Sequence, residues 1–275
     1  MNKTVEKKIE DKLSNIGARI GICVLDDNGV LYSYKGEEKF DTACSIMSFI
    51  MVEYFNQKRT GKITGEELLE FTEENYATGA GTIKLLPYGA TIRAKDLLEL
   101  MIVISDHIAA NLIIDFLGIE NINRCIKEIG MDKTKLNHKF IIPKLKHMGY
   151  GTPYETALLY RLINNNEILD NESCKEIRNI LLKQKYKDIL TDKIRESGSK
   201  NYIDCASKSG KADGRIYEDK TDSYIVDGGI IYTKKGNYYI AVMGELPYSS
   251  DISLNDLKSF IQDISYDIYR EIVGE

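Results

Sequence analysis

Asp41-Thr-Ala-Cys-Ser-Ile-Met-Ser-Phe-Ile-Met-Val-Glu-Tyr-Phe-Asn-Gln57 is the stretch on which the fold turns. From Ile46 to Phe55 only Ser48 and Glu53 are strongly polar. A segment apolar on nearly every side is a helix enclosed by its neighbours rather than one lying on a surface. Ser45 stands at its head and Ser48 one turn further on, and an i, i+3 pair shares a helix face. Taken alone, the stretch reads Ser45 as an N-cap and Ser48 as a small packing residue. Cys44 reads as a buried thiol, and the Met and aromatic residues read as core.

Around this helix the chain has material for a large core. Its 275 residues are 43% apolar and 29% charged, which suits one large folded domain or two interleaved lobes. The net charge of −5 comes with no Lys/Arg block flanked by aromatics, so a nucleic-acid partner is not expected. No apolar run reaches the ~18 residues of a membrane span. Met1–Lys8 is charged with no apolar core after it, so no signal peptide is expected. A cytoplasmic protein follows, or an exported one if a leader has been removed. The five cysteines, Cys23, Cys44, Cys125, Cys174 and Cys205, are odd in number and scattered, without metal-ligand spacing. Reduced thiols are expected. With only His107, His138 and His147 as histidines, a His-based metal site is not.

Before the helix, Val5–Asn15 predicts a surface helix. Arg19–Leu25 and Val30–Tyr34 predict a hairpin about Asn28-Gly29. After it, Glu66–Phe71 predicts a short helical piece and Thr78–Gly81 a glycine-rich loop. Ala94–Ile104, Ala109–Leu117, Ile119–Ile129 and Ser173–Gln184 predict helices. Thr152-Pro153-Tyr154-Glu155 opens another with a capping box. Leu136–Tyr150 is basic and loop-like. Tyr202–Ser207, Ser223–Tyr232 and Tyr238–Leu246 are β-rich, and Ser253 caps a long amphipathic helix to Val273. The order predicts an α+β fold: a five-stranded antiparallel sheet from both chain ends, flanked by the terminal helices. Residues 1–39 and 200–275 make this sheet lobe, and an all-helical lobe, 40–199, is inserted.

Three short stretches carry chemistry: Ser45-Ile-Met-Ser48, Ser105-Asp106-His107 in a helix break, and Lys208-Ser209-Gly210 after a strand. Alone, each has a plain structural meaning, as a cap, a helix break or a turn. In this order they resemble Ser-x-x-Lys, Ser-Asp-Asn and Lys-Thr/Ser-Gly, the signatures of the penicillin-recognising serine hydrolases. That group includes class A β-lactamases and penicillin-binding proteins, and the resemblance covers nearly the whole chain. It implies a β-lactamase/transpeptidase-like fold, a cleft between the lobes and no cofactor. It implies acyl-serine chemistry on a β-lactam or D-Ala-type amide. Ser45 would be the nucleophile, and Ser105 would relay a proton to the leaving nitrogen. Lys208 and Ser209 would hold a substrate carboxylate beside Gly210. The Ser45 N–H and one near Ala212 would form the oxyanion hole. Asp106 would brace its loop. The partner implied is a small β-lactam or a peptide, met by a monomer.

Three departures qualify this. The motif lysine is Ser48, whose hydroxyl is no base near neutral pH. The motif asparagine is His107. No acidic residue lies between Lys133 and Gly151, where a class A β-lactamase carries its water-activating glutamate. Three accounts follow. The chain is a degenerate member, a pseudoenzyme that binds a peptide or cell-wall fragment. Or His107 serves Ser45 as base, with an imidazole pKa of ~6.5 suited to the task. Or Lys208 serves as base, its pKa lowered by its surroundings.

Overall fold

The computed structural model describes residues 1–14, 16–140, 147–216 and 221–275. Helix α1, Lys3–Leu13, is capped by the Asn2 side chain and precedes strands β1, Arg19–Asp26, and β2, Gly29–Tyr34. Asn15, the end of the helix expected from sequence, lies outside the described residues. In the β1–β2 turn the Asp26 carboxylate accepts from the N–H groups of Asn28 and Gly29. Strand β3, Phe40–Asp41, then leads through a tight 3₁₀ turn, Ala43–Ile46, into α2, Met47–Arg59.

Every residue of α2 from Met47 to Phe55 is buried. This fits a helix with no polar face, which gains stability only by being enclosed. Strands β4, Leu68–Glu70, and β5, Thr91–Arg93, form a small antiparallel ladder. The helical piece expected over Glu66–Phe71 is therefore a strand: cross-strand pairing to 90–93, including Phe71 N–H to the Ala90 carbonyl, supplies its hydrogen bonds. Around α2 pack α3, Ala94–Val103, α4, His107–Leu117, and α5, Ile119–Glu128.

Strands β6, Lys135–Leu136, and β7, Gly149–Gly151, join β3 in a three-stranded sheet ordered β3-β7-β6. Both fall in the stretch expected as loop, of which residues 141–146 lie outside the described chain. Helix α6, Pro153–Asn164, starts at the Thr152 cap as the sequence predicts. Helix α7, Asn171–Leu182, starts two residues earlier than expected because Asp170 caps the Ser173 N–H. A short helix α8, Asp192–Glu196, is not foreshadowed. Strands β8, Tyr202–Ala212, β9, Ser223–Thr233, and β10, Tyr238–Leu246, precede the final helix α9, Leu254–Val273.

The main sheet has the order β2-β1-β10-β9-β8, all neighbours antiparallel, so the two chain ends meet where β1 pairs β10. This is the five-stranded sheet with flanking helices expected of a β-lactamase/transpeptidase-like fold. Both sheet faces are covered. Ile20, Ile22 and Val24 face α1 and α9 through Ile9, Leu257, Ile261 and Ile264. Cys23, Leu25, Ile230 and Ala241 face the helices around α2. The strands therefore read as nearly continuous apolar runs.

One difference matters for the site. Lys208-Ser209-Gly210 is not a turn after a strand but lies inside β8, whose pairing to β9 continues to Ala212 opposite Tyr224. Gly210 does not break the strand; it lets the strand come close to the turn before α2. A Cβ there would lie 2.5 Å from the Cys44 amide nitrogen and 3.0 Å from the Ala43 Cβ.

Candidate active site

Two non-glycine residues with left-handed backbone flank one cleft: Ala43, φ 42°, and Ser105, φ 58°. Such conformations cost about 1–3 kcal/mol each and gather at functional sites, where the surroundings hold them in place. Ala43 turns the chain so that the next residue, Cys44, lines a cleft of about 340 Å³ together with Ser105, His107, Ser209 and Gly210.

The expected nucleophile is elsewhere. Ser45 is fully buried; its hydroxyl donates to the Thr42 carbonyl at 2.7 Å, and its N–H donates to the same carbonyl at 2.9 Å. Both groups, expected as nucleophile and oxyanion donor, are here engaged in closing the 3₁₀ turn, and Ser45 does not line the cleft. Ser48 is also fully buried, its hydroxyl 2.9 Å from the Tyr160 hydroxyl, and it does not line the cleft. The residue one turn after Cys44 is Met47, whose Sδ lies 3.8 Å from the Ser105 Oγ. The shift is a register effect: the turn begins at Ala43, so the corner that lines the cleft falls on Cys44, itself only 7% exposed. Replacing Ser45 by Ala is expected to cost about 0.5–1.5 kcal/mol, one internal hydrogen bond, and to leave Cys44 reactive. Denaturant unfolding and thiol labelling check the two halves of this.

The other expected residues do converge. His107 is the first residue of α4, and Asp106 caps that helix. The Asp106 Oδ1 accepts from the N–H groups of Ile108 and Ala109, and its Oδ2 from those of Thr82 and Ile83. It thereby ties the glycine-rich loop to the helix start, the bracing expected of it. The His107 Nδ1 lies 2.9 Å from the Thr78 carbonyl and its Nε2 lies 3.5 Å from the Cys44 Sγ. A carbonyl only accepts, so Nδ1 carries a proton and Nε2 faces the thiol. Gly79, φ +95°, lets the loop reach the ring: a Cβ would sit 2.7 Å from its Cε1.

Lys208 is fully buried. Its Nζ donates to the Ser105 Oγ at 3.0 Å and to the Ser209 carbonyl at 2.7 Å. Ser209 donates to the Tyr186 carbonyl and accepts from Gln184. Ala212 lines the far wall, near the Asp188–Lys258 ion pair. Among the described residues no three His, Cys, Asp or Glu side chains are grouped to hold a metal.

The electrostatics single out the Cys44–His107 pair. Burial alone would push the Cys44 thiol up, but His107, then Lys208 and Ser105, outweigh it and bring it from 9.0 down to about 7. Burial would lower the His107 imidazole; its contact with Cys44 and the Thr78 carbonyl outweigh that and raise it. Burial lowers the Lys208 ammonium. By contrast, burial pushes Cys23, Cys125 and Cys205 up to about 12 and raises Cys174. Cys44 was legible only as a small buried residue. The available signal was a Cys and a His both falling within motif positions, the pattern of a thiol nucleophile with its base.

A five-stranded antiparallel sheet with flanking helices and a cleft at the head of α2, where Ser105 is bridged to Lys208, is the β-lactamase/transpeptidase-like fold. The chain belongs to the β-lactamase enzyme family, whose model matches residues 4–272. The β-lactamase BRO-1 of Moraxella catarrhalis is 27% identical over 196 residues, 66% of this chain and 59% of that protein. The match thus spans less than two thirds of this curated relative. A β-lactamase structure from Sphaerobacter thermophilus DSM 20745 superposes with a TM-score of 0.86 at 22% identity, covering 99% of this chain and 98% of that one. A mutant of PBP-A, solved as an acyl-enzyme complex with penicillin G, superposes with a TM-score of 0.85 at 25% identity, covering 99% and 97%. Among the described residues no helix is long and apolar enough to cross a membrane.

Proposed function

We propose that this chain is a β-lactamase-like acyl-transfer enzyme whose nucleophile is the thiolate of Cys44. The observation that carries the reading is the 3.5 Å contact between the Cys44 Sγ and the His107 Nε2, with the ring oriented from behind by the Thr78 carbonyl. Nucleophile, base and orienting group in a row are the arrangement that activated nucleophiles share. A thiolate held near neutrality by an adjacent imidazolium needs no lysine one turn further on, which accounts for an apolar Met47 there.

In this reading the Cys44 Sγ attacks the acyl carbon of an amide, β-lactam or activated ester. The Cys44 N–H and one from the Lys211–Ala212 end of β8 receive the oxyanion. Collapse breaks the bond to the leaving group. Its proton comes from the His107 Nε2–H, or from Ser105, which accepts from Lys208. A thioester remains on Cys44, and water activated by His107 releases the acid and returns the proton to the pair. Lys208 and Ser209 stay on the carboxylate side of the substrate. The substrate is a small acyl compound such as the penicillin bound by PBP-A, or a peptide. The cleft lies between a sheet lobe, 1–39 with 200–275, and a helical lobe, 40–199.

The test is intact and peptide mass spectrometry after incubation with penicillin G and, separately, with a p-nitrophenyl ester. The expected result is an adduct on the Cys44 peptide that Cys44→Ala abolishes and Ser45→Ala preserves. An adduct on Ser45, or none with either probe, overturns the proposal; the latter favours a non-catalytic binder of the same fold.

A further inference from the structure

The Cys44 turn is held from behind by a residue with no assigned role. Asp41 ends β3, and its side chain is 5% exposed. Its Oδ1 accepts from the N–H of Ala43 at 2.7 Å, the left-handed residue that aims Cys44. Its Oδ2 accepts from the Nδ1–H of His147 at 3.0 Å. His147 stands just before β7, is itself left-handed at φ 59°, and stacks on Tyr150. Its neighbour Met148 lines the cleft. A backbone bond from Thr42 N–H to the Gly149 carbonyl, 3.1 Å, runs beside it. One carboxylate thus joins the strained turn beneath the nucleophile to the strand forming a cleft wall.

We infer that Asp41 is a positioning residue for Cys44: by bridging Ala43 and His147 it holds the Ala43 turn in its left-handed form and so keeps the thiol against His107. The inference deepens the proposed thiol chemistry and rests on Cys44 being its nucleophile. Without the carboxylate, the Ala43 N–H loses its acceptor and nothing offsets the strain at a non-glycine left-handed residue. The turn relaxes, and the Cys44 Sγ moves off the imidazole. Asp41 is well enclosed: Tyr150 and Tyr224 lie on the His147 side, and Glu245, held by Arg19, accepts from the Asp41 N–H. The charged groups that act most on Cys44 are His107 and Lys208, and Lys211 and the Asp188–Lys258 ion pair line the same cleft.

The experiment follows peptide-resolved alkylation of Cys44 by iodoacetamide against pH in the wild type, Asp41→Ala and Asp41→Asn. Asp41→Ala is expected to move the midpoint up by about one pH unit, a tenfold change in thiol acidity. Asp41→Asn keeps both arms of the bridge, its carbonyl oxygen accepting from Ala43 and its amide donating to the other tautomer of His147, and is expected to restore the wild-type midpoint, which a loss of general stability would not do. A wild-type profile in folded Asp41→Ala overturns the inference. If Asp41→Ala does not fold, His147→Ala, altered at a half-exposed side chain, is read in the same way: a midpoint moved up supports the bridge and an unmoved one overturns it. The readout needs no acyl substrate. A chain that alkylates as expected but never acylates overturns the proposed function and leaves this bridge standing.

Discussion

Replacing His107 by glutamine is expected to move the alkylation midpoint of Cys44 from about 7 to above 9, because burial then acts on the thiol with much less opposition. At pH 7 the thiolate fraction falls from about one half to about one in a hundred or less. A more basic thiolate is also the better nucleophile, with a Brønsted slope of ~0.4–0.5, which returns part of the loss. Alkylation at pH 7 therefore drops by only about five- to tenfold. Acylation drops further, because the imidazolium also protonates the leaving group; losing a general acid–base costs ~10²–10⁴-fold. The gap between the two losses separates a catalytic histidine from one that merely polarises the thiol. The wild-type acylation rate should climb through about pH 7 as the thiolate forms. It should decline again only where His107, raised above its ordinary value, loses its proton. Selectivity gives an internal control: Cys23, Cys125 and Cys205, pushed up to about 12, should stay unlabelled while Cys44 reacts. Coincident pH profiles for His107→Gln and the wild type would sink the pairing.

The sequence carried the fold because its strongest signals were collective. A helix apolar on every side, β-rich runs at both ends and ordered motif fragments agree on one architecture, and each tolerates an error of a residue or two. The site tolerates no such error. Whether Ser45 or Cys44 faces the cleft depends on where the 3₁₀ turn begins. That is decided by the left-handed backbone of Ala43, by the Asp41 carboxylate accepting its N–H, and by the bare Gly210 on the facing strand. These are contacts between residues up to about 170 positions apart, and no periodicity in the chain encodes them. The convergence of Ser105 and His107, which share one motif, with the Lys208 motif was legible because each motif is a compact local pattern. Asp41 was not, because its partners Ala43 and His147 belong to different stretches.

The same one-residue difference in register bears on the second large effect, that of Ser48→Lys. Read from sequence, position 48 is the place of the missing base, and a lysine there should restore acyl chemistry. In the fold, Ser48 is fully buried in α2, its hydroxyl meets the Tyr160 hydroxyl, and it does not line the cleft that Cys44 lines. An ammonium at that point is shut away from water, and the buried Asp227 carboxylate near Tyr160 already faces Lys208. Leaving a buried charge uncompensated costs about 3–5 kcal/mol, and the longer side chain adds overpacking of about 1–3 kcal/mol. The expected result is a protein at least 3 kcal/mol less stable, melting about 10 °C lower, with no gain in acylation. Met47→Lys is the informative counterpart. Met47 lies against Ser105, so an ammonium there falls beside the thiol and close to Lys208. It too is destabilising, by like-charge repulsion and burial, but it should lower the Cys44 alkylation midpoint, because a nearby cation favours the thiolate. Thermal unfolding and the Cys44 pH profile of the two variants decide between the registers. If Ser48→Lys unfolds with wild-type stability and gains penicillin acylation, the site is built on Ser45 after all. If only Met47→Lys moves the midpoint, the helix presents Cys44 and Met47 to the cleft, and the serine pair belongs to the core.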